Sequence, residues 1–303
     1  MNEQGFFQQI RDLKKDKNTL VFAHNYQRPE IYEVADIVGD SFALAEKARD
    51  LQAKRVVFCG VTFMAEMVKI LSPQTRVFIP SVQAVCPMAA MITKERLNEL
   101  KKEHPSAKVV CYVNTTAETK TLCDVCCTSA NAVKVVDLVP SDEVIFVPDQ
   151  NLAAYVQSKT AKKIIPIDGW CYVHSKITED KVLEAKKNYP DACVIVHPEC
   201  RPEVIKHADK VLSTSGMIGY SRESKADTFI VATEIGMIEL LKQEVPGKKF
   251  FSIGGECIQQ KKITLENLYE CLRDETGEIF LSEDVIEKAR APLKKMLEYG
   301  RND

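Results

Sequence analysis

Three cysteines, Cys86, Cys171 and Cys257, stand 85 and 86 residues apart, too far for a local ligand motif and too evenly for coincidence. Six residues after each comes an Ile-Thr pair, at Ile92-Thr93, Ile177-Thr178 and Ile263-Thr264, followed by a charged, helix-like stretch. If three equivalent units pack around one axis, their three sulfurs converge there. Thiolates suit zinc and iron–sulfur clusters alike. Three cysteine ligands without an obvious fourth fit a cluster with one iron open to substrate. Zinc also accepts three cysteines, usually with a histidine completing a structural site, so ligand type alone leaves the metal open.

Other chemistry-bearing residues repeat in step. Counted from His24, Tyr112 and His197, a glutamate follows at six residues (Glu30, Glu118, Glu203) and an aspartate at twelve (Asp36, Asp124, Asp209). A hydroxyl follows at seventeen (Ser41, Ser129, Thr214), and the cysteines at 62, 59 and 60. Gene triplication explains so many shared marks. The three origins open the triplets His24-Asn25-Tyr26, Tyr112-Val113-Asn114 and His197-Pro198-Glu199. Residues two apart on an extended chain share a side, so the outer members form a rim of two His, two Tyr, one Asn and one Glu. Glu199, its only carboxylate, is the candidate general base or acid. The hydroxyls precede helix-like stretches, where they can cap the helix or join its free N–H groups in binding an anion. A substrate is not threefold, so the acids recurring in all three units read as structural.

The elements that must position these groups are legible in each unit. A strand-length apolar run (Leu20 to Ala23, Val109 to Val113, Cys193 to Val196) leads to a short helical stretch near Glu30 to Ala35, Glu118 to Cys123 and Glu203 to Ala208. A second short strand ends at the hydroxyl and a helix follows, such as Phe42 to Leu51 or Ala130 to Leu138. A third strand (Arg55 to Cys59, Glu143 to Val147, Thr228 to Ala232) and another helix precede a fourth strand (Arg76 to Ile79, Lys163 to Ile167, Lys249 to Ile253). That strand enters the cysteine loop. Strands alternating with helices, without hairpin signals, predict α/β architecture with parallel sheets. The expected fold is three homologous αβα domains, each with a four-stranded parallel sheet, arranged with pseudo-threefold symmetry around a central site. Their expected bounds are 1–106 with an N-terminal helix, 107–191, and 192–303 with a C-terminal helical tail. Every candidate group then follows the carboxyl end of a strand, the edge at which open α/β sheets bind ligands.

Composition narrows the function. A formal net charge of −2 gives no electrostatic case for nucleic acid or an anionic membrane. Anionic ligands must therefore be held locally, by hydroxyls and backbone donors. The polar N-terminal stretch lacks a signal-peptide core, and no apolar run approaches the roughly 20 residues of a membrane span. Eleven cysteines then read as reduced thiols in a cytosol. Cys123, Cys126 and Cys127 form a CxxC with an extra cysteine but without a second pair at zinc-finger spacing; core packing is the first reading and a redox-sensitive pair the second. His104 and His207 fall outside the repeated positions and read as surface or structural, whereas His174, three residues after Cys171, can approach the cysteine site. The polar stretch 220–225 is a candidate gate.

Ala23-His24-Asn25-Tyr26-Gln27, Gly39-Asp40-Ser41, Cys86-Pro87-Met88, Tyr112-Val113-Asn114-Thr115, Cys127-Thr128-Ser129-Ala130-Asn131, His197-Pro198-Glu199-Cys200, Ser213-Thr214-Ser215-Gly216-Met217 and Gly254-Gly255-Glu256-Cys257 together resemble the quinolinate synthase family over essentially the whole chain. The resemblance implies a [4Fe–4S] cluster on Cys86, Cys171 and Cys257. It implies condensation of iminoaspartate with dihydroxyacetone phosphate to quinolinate, phosphate and water in NAD biosynthesis, with L-aspartate oxidase or an equivalent as metabolic partner. It implies a substrate pocket of His24, Tyr26, Ser41, Tyr112, Asn114, Ser129, His197, Glu199 and Thr214. Of these, Glu199, Tyr26, His24 and His197 are the expected catalytic groups. A hydro-lyase of aconitase type, also using an open iron, is the nearest alternative.

Overall fold

Among the described residues the apolar runs become twelve strands, paired in parallel within every sheet. The structure, a computed structural model, describes residues 3–301. The first sheet holds β1 (Thr19–His24), β2 (Ile37–Gly39), β3 (Arg55–Cys59) and β4 (Arg76–Phe78). The second holds β5 (Lys108–Tyr112), β6 (Val125–Cys127), β7 (Glu143–Val147) and β8 (Lys163–Pro166). The third holds β9 (Cys193–Val196), β10 (Lys210–Val211), β11 (Thr228–Ala232) and β12 (Lys249–Ser252). All three use one topology, with strand orders β2-β1-β3-β4, β6-β5-β7-β8 and β10-β9-β11-β12. The expected architecture of three αβα units is therefore present.

The recurring aspartates make each second strand join its first. Asp36 Oδ2 accepts from the Val21 N–H at 2.7 Å, Asp124 Oδ2 from Val109 at 2.8 Å and Asp209 Oδ2 from Val194 at 2.7 Å. Each aspartate N–H returns a bond to the same residue's carbonyl, at 2.8, 3.0 and 2.9 Å. The short helix before it, Pro29–Tyr32, Ala117–Lys120 or Pro202–Ile205, carries the recurring glutamate in its first turn, where it suits the helix dipole. The acids repeated in triplicate are thus turn and helix devices.

The units share their cores. The helix Glu283–Tyr299, beyond the third sheet, packs on the helix Thr62–Leu71 of the first unit and on β6 of the second. Arg290 Nε donates to the Ile70 carbonyl at 3.0 Å, and Asn131 Nδ2 to the Gly300 carbonyl at 3.0 Å. One apolar cluster accordingly runs from Phe22 and Phe58 through Val110 and Phe146 to Leu293. Such side chains each contribute about 1.5–3 kcal/mol on burial, so the last helix binds the first two units together. Among the described residues, no helix is long and apolar enough to cross a membrane.

The aspartate device gives a direct test. Asp209→Ala removes a charge-assisted backbone bond and is expected to cost about 1.5–3 kcal/mol in urea unfolding. Glu203→Ala loses an exposed first-turn dipole interaction and a 3.8 Å exposed pairing with Arg201 and should cost no more than about 1 kcal/mol. Equal losses would mean that the two repeated acids do not differ as described.

Candidate active site

In each sheet the strand order switches between the first and third strands, from which connections run to opposite edges, so a crevice opens at their carboxyl ends. Residues from all three crevices line one cavity, whose empty volume of about 760 Å³ includes space open to solvent. It is lined by His24, Tyr26, Ser41, Cys86, Tyr112, Asn114, Ser129, Cys171, His197, Glu199, Thr214 and Cys257, the rim, hydroxyl and cysteine positions of the repeat, while the recurring acids stand outside it. Asn25, Val113 and Pro198, the middle members of the triplets, are not in its wall. Asn25 instead points across to the third unit, where its Nδ2 donates to Thr214 Oγ1 at 3.0 Å.

Capping falls one residue away from the aligned hydroxyls in two units. Asp40 caps the helix Ser41–Arg49, accepting from the Ala43 N–H at 2.8 Å, and Ser213 caps Thr214–Glu223, accepting from Gly216 at 3.1 Å. Ser41 and Thr214 are then first-turn residues whose side chains line the cavity. Burial pushes the Asp40 carboxyl up, but the Arg301 guanidinium 3.0 Å away holds it below its ordinary value.

The centre of the cavity is a buried charge. Glu199 Oε2 lies 3.0 Å from His174 Nδ1 and 3.2 Å from His197 Nδ1, and Glu199 Oε1 is buried without a hydrogen-bond partner. The two imidazoles stack with centroids 4.6 Å apart. Burial pushes Glu199 up, but the paired histidines outweigh it and hold it well below the usual carboxylate range. His197 Nδ1 is also 3.3 Å from the Glu199 N–H, so its tautomer decides whether it accepts from that amide or donates to Oε2. Its Nε2 is 3.2 Å from Ser129 Oγ. From His174 a chain runs outward: Nε2 to Thr233 Oγ1 at 2.9 Å, then Thr233 Oγ1 to the Tyr26 hydroxyl at 2.7 Å. Burial, with Glu199 nearby, raises Tyr26 and Tyr112, so both phenols stay protonated at neutral pH. Burial alone dominates at His24, which falls to about 4 and accepts the Tyr26 N–H on Nδ1 at 3.2 Å.

The cysteine loops are pressed against the third strands. A Cβ on Gly169 would lie 2.2 Å from the Pro148 carbonyl oxygen, and one on Gly254 only 1.5 Å from that of Thr233, so both positions need glycine. Buried acids then hold the cysteine amides: Asp149 Oδ2 accepts from the Cys171 N–H at 3.1 Å and Glu234 Oε1 from Cys257 at 2.9 Å. Lys261, 3.1 Å from Glu234, is the nearby cation. Burial raises all three thiols, Cys86 to about 12. Their sulfurs line one cavity but are not gathered within the 4.8 Å span of a single-ion site; among the described residues only Cys171, His174 and Glu199 are.

Sequence reasoning passed over Thr233, Asp149, Glu234 and Lys261. A signal existed for the two acids: each stands two residues beyond the end of a third strand, a position that Val61 fills in the first unit. His174, identified only by its nearness to Cys171, proves to be a direct partner of Glu199. His207 pairs with Glu179 at 2.7 Å, away from the cavity. The stretch 220–225 is not a free connection: Tyr220–Glu223 is the last turn of a helix, and Lys248 Nζ holds the Ser221 and Ser224 carbonyls at 2.6 and 2.5 Å.

Fold and site together define a three-unit α/β protein with a pocket lined by thiols and by residues of all three units. The chain belongs to the family described as quinolinate synthetase A protein, whose pattern matches residues 8–298. It is similar to a quinolinate synthase of Alkaliphilus metalliredigens, 52% identical over 98% of this chain and 99% of that one. It is also similar to one of Pyrococcus furiosus, 49% identical over 96% of each chain, and one of Methanoregula boonei, 47% identical over 96% and 97%.

His24 supplies a pH test. Its folded value of about 4 lies below the ordinary 6.5, so the unfolded chain takes up this proton first as pH falls. Stability linked to neutral His24 is intact above about pH 6.5 and drains away toward pH 4. Urea titrations of His24→Gln should lose less stability than the wild type across that window; equal slopes would refute the assignment.

Proposed function

We propose that this chain is a cytosolic quinolinate synthase, condensing iminoaspartate with dihydroxyacetone phosphate to quinolinate, phosphate and water for NAD biosynthesis. An aspartate oxidase or equivalent would supply the iminoaspartate. The observation that carries the reading is Glu199: an ionised, buried carboxylate in the cavity wall, fixed by two imidazoles through one oxygen, with the other oxygen lacking a hydrogen-bond partner. The relatives' name, quinolinate synthase, supports quinolinate as the product.

Cys86, Cys171 and Cys257 would hold a [4Fe–4S] cluster, and the donor set fits it: three softly ligating sulfurs on one wall, spaced beyond single-ion distance. Bound there, the cluster supplies Lewis acidity through its open iron. The protein's own part is proton transfer and positioning. Glu199 Oε1 takes and returns the proton at the substrate carbon. His174 and His197 fix that carboxylate and stabilise its charge. Tyr26, protonated and linked to His174 through Thr233, donates to developing oxyanions, and neutral His24 beside it donates or accepts without adding charge. Ser41, Ser129, Thr214, Tyr112 and Asn114 grip carboxylate and phosphate oxygens, a role suited to hydroxyls and helix N-termini in a chain without net positive charge. Enclosure limits hydrolysis of the imine.

Glu199→Gln tests the reading. Turnover to quinolinate should fall about 10²–10⁴-fold with iron content unchanged; near-normal turnover would remove Glu199 from proton transfer. Protein purified without oxygen should hold about four irons and four sulfides per chain, each lost in Cys86→Ser, Cys171→Ser or Cys257→Ser. Stoichiometric zinc without sulfide would overturn the cluster, and an unchanged substrate mixture would overturn the reaction.

A further inference from the structure

Of the three cysteine loops, only the second carries a histidine three residues after its cysteine. The matching positions are Ala89 after Cys86 and Gln260 after Cys257. In Cys171-Tyr172-Val173-His174 the chain closes a turn, the Ser175 N–H donating to the Cys171 carbonyl at 2.9 Å. That turn sets His174 Nδ1 3.2 Å from Cys171 Sγ. The same nitrogen is 3.0 Å from Glu199 Oε2, on the loop that follows β9 in the third unit. A sulfur, a nitrogen and a carboxylate oxygen thus lie within 4.8 Å of one another, the one such grouping among the described residues.

The spacing is that of ligands around one ion. Tetrahedral zinc with bonds of about 2.0–2.3 Å leaves its donor atoms about 3.4–3.6 Å apart, so the two measured edges need only widen slightly. His174 is held as a metal-ligating imidazole is held, by a partner on its other nitrogen: Nε2 lies 2.9 Å from Thr233 Oγ1. With Thr233 accepting there, Nδ1 keeps its lone pair for an ion. Glu199 has lone pairs to give, since its Oε1 is buried without a hydrogen-bond partner. One thiolate and one carboxylate also balance a divalent cation, so the buried complex carries no net charge. Cys171 is partly exposed and lines the cavity with His174 and Glu199, which gives an ion its way in.

We propose that Cys171 Sγ, His174 Nδ1 and the Glu199 carboxylate bind a single zinc ion in the chain before its cluster is installed, and that zinc held there excludes the cluster. Binding forms one Zn–S, one Zn–N and one Zn–O bond and releases the Cys171 thiol proton to water, with no change of oxidation state. A water fills the fourth position, facing the pocket. Zinc suits this mixed donor set and binds such sites more tightly than ferrous iron does. Cys86 and Cys257 take no part, because neither belongs to the grouping. Cys171 cannot serve zinc and cluster at once, so the exclusion rests on the cluster assignment proposed above, whereas the zinc site itself does not.

The test adds zinc(II) to the full chain, stripped of metal, reduced and held without oxygen, and reads binding by competition with a chromophoric chelator. One zinc should bind per chain. His174→Ala and Glu199→Gln should each weaken it about tenfold or more, Thr233→Val about tenfold through the orientation of His174, and Cys86→Ser not at all. X-ray absorption of the zinc-loaded wild type should show one sulfur at about 2.3 Å and its other neighbours, nitrogen or oxygen, at about 2.0–2.2 Å. Absence of tight zinc binding would overturn the site. So would three sulfurs around the ion, or a loss in Cys86→Ser as large as in His174→Ala. The wild-type spectrum decides even if a variant fails to fold. Zinc-loaded chain should then take up no iron or sulfide on reconstitution and should take up both once the zinc is chelated away. A cluster assembled with zinc still bound would overturn the exclusion. A chain that takes up no iron with or without zinc would instead count against the proposed cluster, and the absorption spectrum would still decide the zinc site.

Discussion

One buried negative charge governs the centre of this molecule. A lone carboxylate in a dry interior costs several kcal/mol and would ordinarily take up a proton. Glu199 remains ionised because His174 and His197 stand at 3.0 and 3.2 Å from the same oxygen. His174 comes from the cysteine loop of the second unit and His197 from the first strand of the third, so the charge is stable only while the two units are docked. Thr233 and Tyr26 extend the same network into the first unit through bonds of 2.9 and 2.7 Å. Assembly of the three sheets and ionisation of the pocket are therefore coupled.

Geometry allows this because every sheet presents the same edge. Parallel pairing puts all four carboxyl ends of a unit on one side, and the shared strand order puts its crevice at the same place. The loops must then come close enough for sulfur and imidazole to meet. Gly169 and Gly254 permit that approach, since any side chain there would strike a carbonyl of the third-strand loop. Asp149 and Glu234 convert the approach into a fixed position by accepting the Cys171 and Cys257 amides. Among the described residues few buried side-chain polar atoms are left unsatisfied, and Glu199 Oε1, on a residue of the cavity wall, is one of them.

The architecture was legible because periodicity and repetition reinforce one another. Strands Arg55–Cys59, Glu143–Val147 and Thr228–Ala232 match their apolar runs residue for residue. The short helices are briefer than the sequence pattern, ending at Tyr32, Lys120 and Ile205, because the recurring aspartate pulls the chain back into the sheet. Cavity residues were found where the repeat marked them. Those missed are non-repeating or reach the site from afar in the chain: Thr233 joins two rings that come from different units, and Lys261 meets Glu234 only once the last cysteine loop folds back. No local pattern encodes such meetings.

Comparison of the three copies separates scaffold from chemistry. Asp36, Asp124 and Asp209 make the same bond three times, as expected of a device that serves each unit separately. At the strand ends the copies diverge, into His, Tyr and His at one position and Tyr, Asn and Glu two residues on. The position beyond the third strand diverges too, with Val61 where the others have Asp149 and Glu234. The first cysteine loop consequently lacks an acid at that point and is anchored by Thr62, whose N–H and hydroxyl reach the Ala84 carbonyl at 2.9 and 3.2 Å. A scaffold with threefold symmetry can surround a substrate that has none only if its copies differ where they touch it, and these differences lie at the pocket wall and immediately behind it.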